Sequence, residues 1–262
     1  MKKLFFISSS GSMATQWLSQ LLSAGSKIKC FHGLVGLQPQ HDANRDSLSA
    51  LSLAKQWGDA NSVEYVGMNH LSGNHGVQGL GACNSLGAQF CALVRDPIVV
   101  TDSQNQEKLK LGNTTATKQE ETFQKIRSIP EIAAIVNLNE RSDIVFFQCA
   151  ESAIGHLLEI EVSNIETFKF EDYTVAYSEI RRLISFITNG QITDDDNIAT
   201  AFETLGKKNT HRKRSIGVED TWKSQWSAKQ RQIFIRLWRY ILGDYPKGTV
   251  NYPVAESLIQ AG

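Results

Sequence analysis

Four cysteines in 262 residues, none of them in a CxxC pair, leave the chain without the close thiol spacing of a zinc site. Cys30, Cys83, Cys91 and Cys149 are scattered, three of them in apolar or small-residue runs, and read as buried thiols of a reducing compartment rather than disulfides. An excess of one charge is also missing. Lys plus Arg and Asp plus Glu both number 27, so the net charge is zero and nothing in the total points to nucleic acid or an acidic surface as partner. No apolar run approaches the roughly 20 residues that span a bilayer, and Leu4–Ile7 after Met1-Lys2-Lys3 is too short for a signal peptide. A cytoplasmic chain with no stable membrane insertion is expected. GxxxxGKS and GxxxxGKT are both absent, which ranks a P-loop kinase or NTPase last. There is no internal repeat and no low-complexity tract.

What the chain does have is short apolar stretches alternating with helical patterns, the signature of parallel βαβ units. Its length suits one large domain, residues 1–262. Strands are expected at Leu4–Ile7, Ile28–Phe31, Val63–Gly67, Gln89–Val94 and Ile165–Phe170, with Gln89–Val94 central because it is continuously apolar. Helices are expected near Asp46–Trp57, Gln119–Val136, Glu151–Glu161 and Val175–Ile187, and from Ser227, where Gln230 completes a capping box. Ile144–Cys149 reads as strand or helix. Asn105–Lys118 is polar and reads as a mobile loop.

Two stretches carry chemistry. In Leu4–Gly25 a short strand passes through Ser8–Ser12 into an amphipathic helix, with Gly25 placed for a left-handed C-cap. Such a corner aims free backbone N–H groups and the positive end of a helix dipole at one spot, an anion cradle; a plain strand–loop–helix turn is the alternative. In Leu93–Ser103 a buried strand ends in Arg95, Asp96-Pro97 starts the next helix, and Ser103 follows. Arg95 and Ser103 can grip one phosphate, or Arg95 can pair with Asp96.

These stretches, with three others in order, resemble the PAPS-dependent sulfotransferases. Ser8–Trp17 stand where that family has TYPKSGTTW, and Arg95–Ser103 match RNPxDxxVS with the arginine-to-serine spacing kept. Phe168-Lys-Phe-Glu-Asp-Tyr173 resembles a strand ending in YEDL, and Thr200–Asn209 resembles TSFExMKxNP. Arg212–Gly217 with Trp222–Gln230 resembles RKGxxGDWKNxFTxxQ apart from an insertion. The resemblance implies a three-layer α/β sandwich with a mainly parallel central sheet, P-loop-NTPase-like in its fold, and a sulfonate moved from PAPS to an acceptor. PAPS is the donor and PAP the product, without a metal. Gly11, Ser12, Met13, Ala14, Thr15, Gln16 and Trp17 would hold the donor's 5′ end. Arg95 and Ser103 would hold the 3′ phosphate, joined by Arg212, Lys213 or Arg214. Trp17 and Phe202 would stack on the adenine from opposite sides, core packing being the alternative for both. His70 would be the base that takes the acceptor's proton, with His75 and His32 as weaker candidates.

One departure matters. The family's donor-loop lysine falls on Ser12, an uncharged residue at a catalytic position. Either another Lys or Arg reaches in, or the chain is slow or inactive, a relative that binds nucleotide or partner only. The acceptor, a small-molecule, glycan or lipid hydroxyl or an amine, would be chosen by the loops Gly33–Asn61, Leu71–Gly87 and Asn105–Lys118.

Overall fold

Five strands, β1 Lys3–Ser8, β2 Ile28–His32, β3 Tyr65–Asn69, β4 Gln89–Val94 and β5 Thr167–Lys169, form one sheet in the order β2-β3-β1-β4-β5. All four pairings are parallel. The computed structural model describes residues 3–10, 13–34, 37, 47–69, 77–111, 116–208, 217–243 and 252–261. Its helices are α1 Thr15–Leu22, α2 Ser47–Asp59, α3 Val77–Leu86, α4 Pro97–Leu111, α5 Ala116–Ser128, α6 Pro130–Ala133, α7 Arg141–Ser163, α8 Phe170–Tyr173, α9 Tyr177–Ile187 and α10 Asp196–Lys208. The short α11 Val218–Asp220 runs into a π-helical turn, Thr221–Gln225, before α12 Ala228–Ile241 and α13 Pro253–Ala261. The chain divides into two compact units, Met1–Arg95 with Val162–Ser215 and Asp96–Glu161 with Ile216–Gly262.

The first unit holds the whole sheet. β3 is buried at every position and β1 and β4 at all but the first, which a strand can be only when both faces of its sheet are covered. The expected α/β architecture is therefore present, with helices packed on a parallel sheet: α1 lies against β2, α2 against β3, α3 against β1 and β4, and α9 against β4. β3 sits two residues later than Val63–Gly67 predicts. Gly67, which reads as a strand end, lies inside the strand, and it is glycine because a Cβ there would stand 2.1 Å from the Phe5 carbonyl oxygen. Gly25 is not the left-handed cap that its spacing predicts. α1 closes on Ser23 in right-handed conformation, and Gly25 is small because its Cβ would meet Asp195 and Ile198 at 3.0 Å.

The second unit is helical, with no strand among its described residues. α4 starts at Pro97, and Asp96 Oδ1 accepts a hydrogen bond from Ile98 N at 2.9 Å, the helix start that Asp96-Pro97 announces. The mobile loop expected over Asn105–Lys118 is not found: α4 runs to Leu111 and α5 starts at Ala116. Gln, Glu, Lys and Leu are good helix formers even without an apolar stripe, and Gln104 and Asn105 are buried. Ile144–Cys149 is helical, within α7. Phe146, Trp226 and Phe234 make the aromatic core, with ring centroids 5.0 and 5.1 Å apart along that series. Trp226 Nε1 donates to Asp102 Oδ1 at 3.1 Å, so the indole dipole is satisfied within that core.

α12 opens with the predicted capping box. The Ser227 hydroxyl accepts from Gln230 N at 3.2 Å, and the Gln230 side chain accepts from Ser227 N at 2.9 Å. Ser227→Ala should therefore lower the free energy of unfolding by about 1 kcal/mol. Urea denaturation checks this as a lower midpoint at unchanged slope.

All four cysteines are free and buried. Burial pushes the Cys30 and Cys83 thiols up to about 12 and the Cys149 thiol to about 11, so they stay neutral and unreactive at physiological pH. No helix among the described residues is long and apolar enough to cross a membrane.

Candidate functional site

The strand order reverses beside β1. The connection from β1 runs past β3 to β2, whereas β4 lies on the other side and leads on toward β5. In open parallel sheets the crevice outside the carboxyl ends of two such strands is where ligands enter. Register sets Ser8 opposite Ala92, so the loop after β1 and Arg95 after β4 leave neighbouring strand ends.

The β1–α1 loop does not run as a helix. Ser9 and Ser10 are buried and irregular, Gly11 and Ser12 lie outside the described residues, and α1 begins at Thr15. Ala14 stands at φ 50°, ψ 33°, a left-handed conformation that costs a non-glycine residue roughly 1–2 kcal/mol. A left-handed residue followed by right-handed Thr15 turns successive N–H groups toward one concavity, a backbone nest suited to an anion. The first helical bond runs from Leu18 N to the Ala14 carbonyl at 2.9 Å, and no side chain caps α1. The N–H groups of Ala14, Thr15, Gln16 and Trp17 therefore stand outside the helical ladder, at the positive end of its dipole.

Three tethers hold this corner. Asn69, wholly buried at the end of β3, donates Nδ2 to the Thr15 carbonyl at 2.7 Å and accepts from the Ser19 hydroxyl at 2.9 Å. His32, at the end of β2, has Nε2 3.0 Å from Thr15 Oγ1. Tyr173, the last residue of α8, donates its hydroxyl to the Met13 carbonyl. Burial pushes that phenol well above its ordinary range, against a lowering pull from Arg95, so it remains a donor. Two further polar atoms in this region, Ser8 Oγ and Trp17 Nε1, are buried without a hydrogen-bond partner. Such groups are what a bound polar ligand satisfies.

Arg95 is nine-tenths buried, and its guanidinium carbon lies 4.1 Å from the centroid of the Phe170 ring. The pairing of Val94 with Lys169 places Arg95 next to Phe170, so the cation is held over an aromatic face. Ser103 is half-buried on α4 of the second unit. Trp17 lies nearly parallel to Tyr173, 6.4 Å away and inclined by 18°, and edge-on to Phe202 at 6.0 Å and 61°. A purine between Trp17 and Phe202 needs two van der Waals contacts, about 7 Å between parallel planes, so the Phe202 ring must swing to admit one. His70, His75, Arg212, Lys213 and Arg214 lie outside the described residues.

Asn69 contributes to this corner without a motif to mark it, and Phe170 and Tyr173 lie in the Phe168–Tyr173 stretch matched to YEDL, which assigns neither of them a role. Asn69 closes an otherwise apolar strand, a signal that could have found it. No group of three or more His, Cys, Asp or Glu able to hold a metal occurs among the described residues.

No family model and no curated protein sequence matches the chain. Among solved structures it resembles the crystal structure of mouse sulfotransferase SULT7A1 complexed with PAP, at 12% identity and a TM-score of 0.54, over 100% of this chain and 88% of that one. The likeness shows a sulfotransferase-like fold.

Proposed function

We propose that this chain moves a sulfonate group from PAPS to a hydroxyl or amine of a small-molecule, glycan or lipid acceptor. The observation that carries the reading is the pairing, at adjacent strand ends of a sulfotransferase-like sheet, of an anion-receiving loop with a buried arginine. PAPS is an anion at both ends of one nucleotide, and two such elements are what it requires. In this reading Gly11–Trp17 receive the 5′ phosphosulfate through backbone N–H groups, with the Thr15 hydroxyl beside them. Arg95, with Ser103 and one or more of Arg212, Lys213 and Arg214, holds the 3′ phosphate. Trp17 and Phe202 take the adenine once Phe202 has turned. The acceptor oxygen or nitrogen attacks sulfur in line, its proton passes to His70, the bond from sulfur to the bridging phosphate oxygen breaks, and PAP leaves. The whole of residues 1–262 serves as one functional domain, and the four buried, unpaired thiols suit a reducing cytoplasm.

Calorimetric titration with PAP, set against ATP with magnesium, tests the first half. PAP should bind and magnesium-ATP should bind far more weakly; the reverse order would make the chain a nucleotide-triphosphate enzyme. Transfer from sulfur-labelled PAPS across a panel of hydroxyl and amine acceptors tests the second half. Tight PAP binding with no transfer to any acceptor would leave a nucleotide-binding relative in place of an enzyme.

A further inference from the structure

We propose that Tyr173 is a positioning residue for the β1–α1 loop: by donating its hydroxyl to the Met13 carbonyl it holds the backbone where Ala14 is left-handed and the amides of Ala14 to Trp17 converge. What the loop receives rests on the sulfotransferase reading; the tether itself does not.

The argument begins with a mismatch. The left-handed region belongs to glycine, and to a lesser extent to asparagine and aspartate, yet the residue there is alanine, which has no local means of holding it. Something outside the loop must over-determine the conformation. On the helix side Asn69 fixes the Thr15 carbonyl at 2.7 Å. On the strand side Tyr173 reaches Met13, the residue just before the strained one, from 160 positions away in sequence.

Tyr173 is well placed to hold a position. It is fully buried, its ring is aligned with Trp17, and it ends the short helix that grows directly out of β5. Its hydroxyl thus points from the sheet, not from a mobile loop. The same four-residue helix carries Phe170, the ring under Arg95. One element therefore references both the loop after β1 and the arginine after β4. Without the Tyr173 bond, Ala14 gains by relaxing toward the right-handed region, and the nest opens.

Tyr173→Phe keeps the ring and removes only the donor. Binding of PAP, followed by calorimetry, should weaken about tenfold. Adding Ala14→Gly in the same chain should restore most of that loss, because glycine takes the left-handed conformation without a tether. A Tyr173→Phe chain that melts earlier but binds PAP as before, or a loss that Ala14→Gly does not repair, would overturn the proposal. Amide hydrogen exchange supplies a readout that needs no nucleotide. Tyr173→Phe should speed exchange of the Leu18 amide, which donates to the Ala14 carbonyl at 2.9 Å, at least tenfold while the β1 and β4 amides keep their protection, and unchanged exchange would refute the tether. If the unmutated chain does not bind PAP but the exchange result holds, the sulfotransferase reading fails and the tether stands. If Tyr173→Phe does not fold, Ala14→Val tests the coupling from the other side. A β-branched residue strains the left-handed position, and protection of the Leu18 amide should fall with the strands intact; full protection would count against the proposal.

Discussion

Replacing Arg95 with alanine should cost PAP on the order of a hundredfold in affinity while changing the binding of adenosine 5′-monophosphate by only about threefold. A hydrogen bond to a charged group is worth about 1.5–3 kcal/mol, and a guanidinium can present two of them to one phosphate. The side chain is nine-tenths buried, where water screens little of that attraction. The selectivity is the test, since a 5′-monophosphate lacks the group that Arg95 is proposed to hold. Equal losses for both nucleotides would mean that Arg95 only supports the strand end. Lysine should rescue poorly. The guanidinium carbon lies 4.1 Å from the Phe170 ring centroid, and an ammonium point charge does not reproduce the paired donors of a guanidinium.

Ser12→Lys should raise the rate of sulfonate transfer about a hundredfold with little change in PAP affinity. In the resembled family a lysine stands here, beside the phosphate oxygen that gains charge as sulfur departs; this chain has serine. One preorganised donor or charge at such a place is typically worth about 3 kcal/mol in the transition state. In the proposed reading ground-state binding rests on the loop amides, the arginine and the aromatic rings, which the substitution leaves alone, so kcat should move and affinity should not. A fall in rate would show that another cation already occupies the place. Unmeasurable transfer by both forms, together with tight PAP binding, would favour a binding role.

Much of the fold was legible because burial on both faces writes itself as uninterrupted apolar sequence. β1 and β4 follow from Leu4–Ile7 and Gln89–Val94 on that ground alone. Where close packing demanded a small residue the signal inverted: Gly67 reads as the end of β3 but lies in its interior, and the strand runs on to the buried Asn69. Past Asn105 the sequence reads as a loop, yet α4 continues there, because its helical tendency lies in Gln, Glu and Lys rather than in an apolar stripe. In the candidate site, Arg95 and the β1–α1 corner could be read from local pattern. The hold on Met13 could not, since Tyr173 is distant in sequence and nothing around Ala14 announces a left-handed residue.

The position of β1 in the sheet has a consequence for how the chain is made. β1 precedes the other strands of its sheet in sequence yet lies at the centre, and its neighbours β3 and β4 end at Asn69 and Val94. At a synthesis rate of about 5–20 residues per second, β4 is complete only about 4–17 s after β1. Throughout that interval a segment containing Phe5, Phe6 and Ile7 has at most one of its two partners. Pairings so distant in sequence also carry a loop-closure cost before they return any stabilisation, which slows their formation. The nascent chain thus presents an unpaired apolar strand for longer than one whose sheet grows outward from an edge. Its yield in a cell should fall when translation between β1 and β4 is slowed.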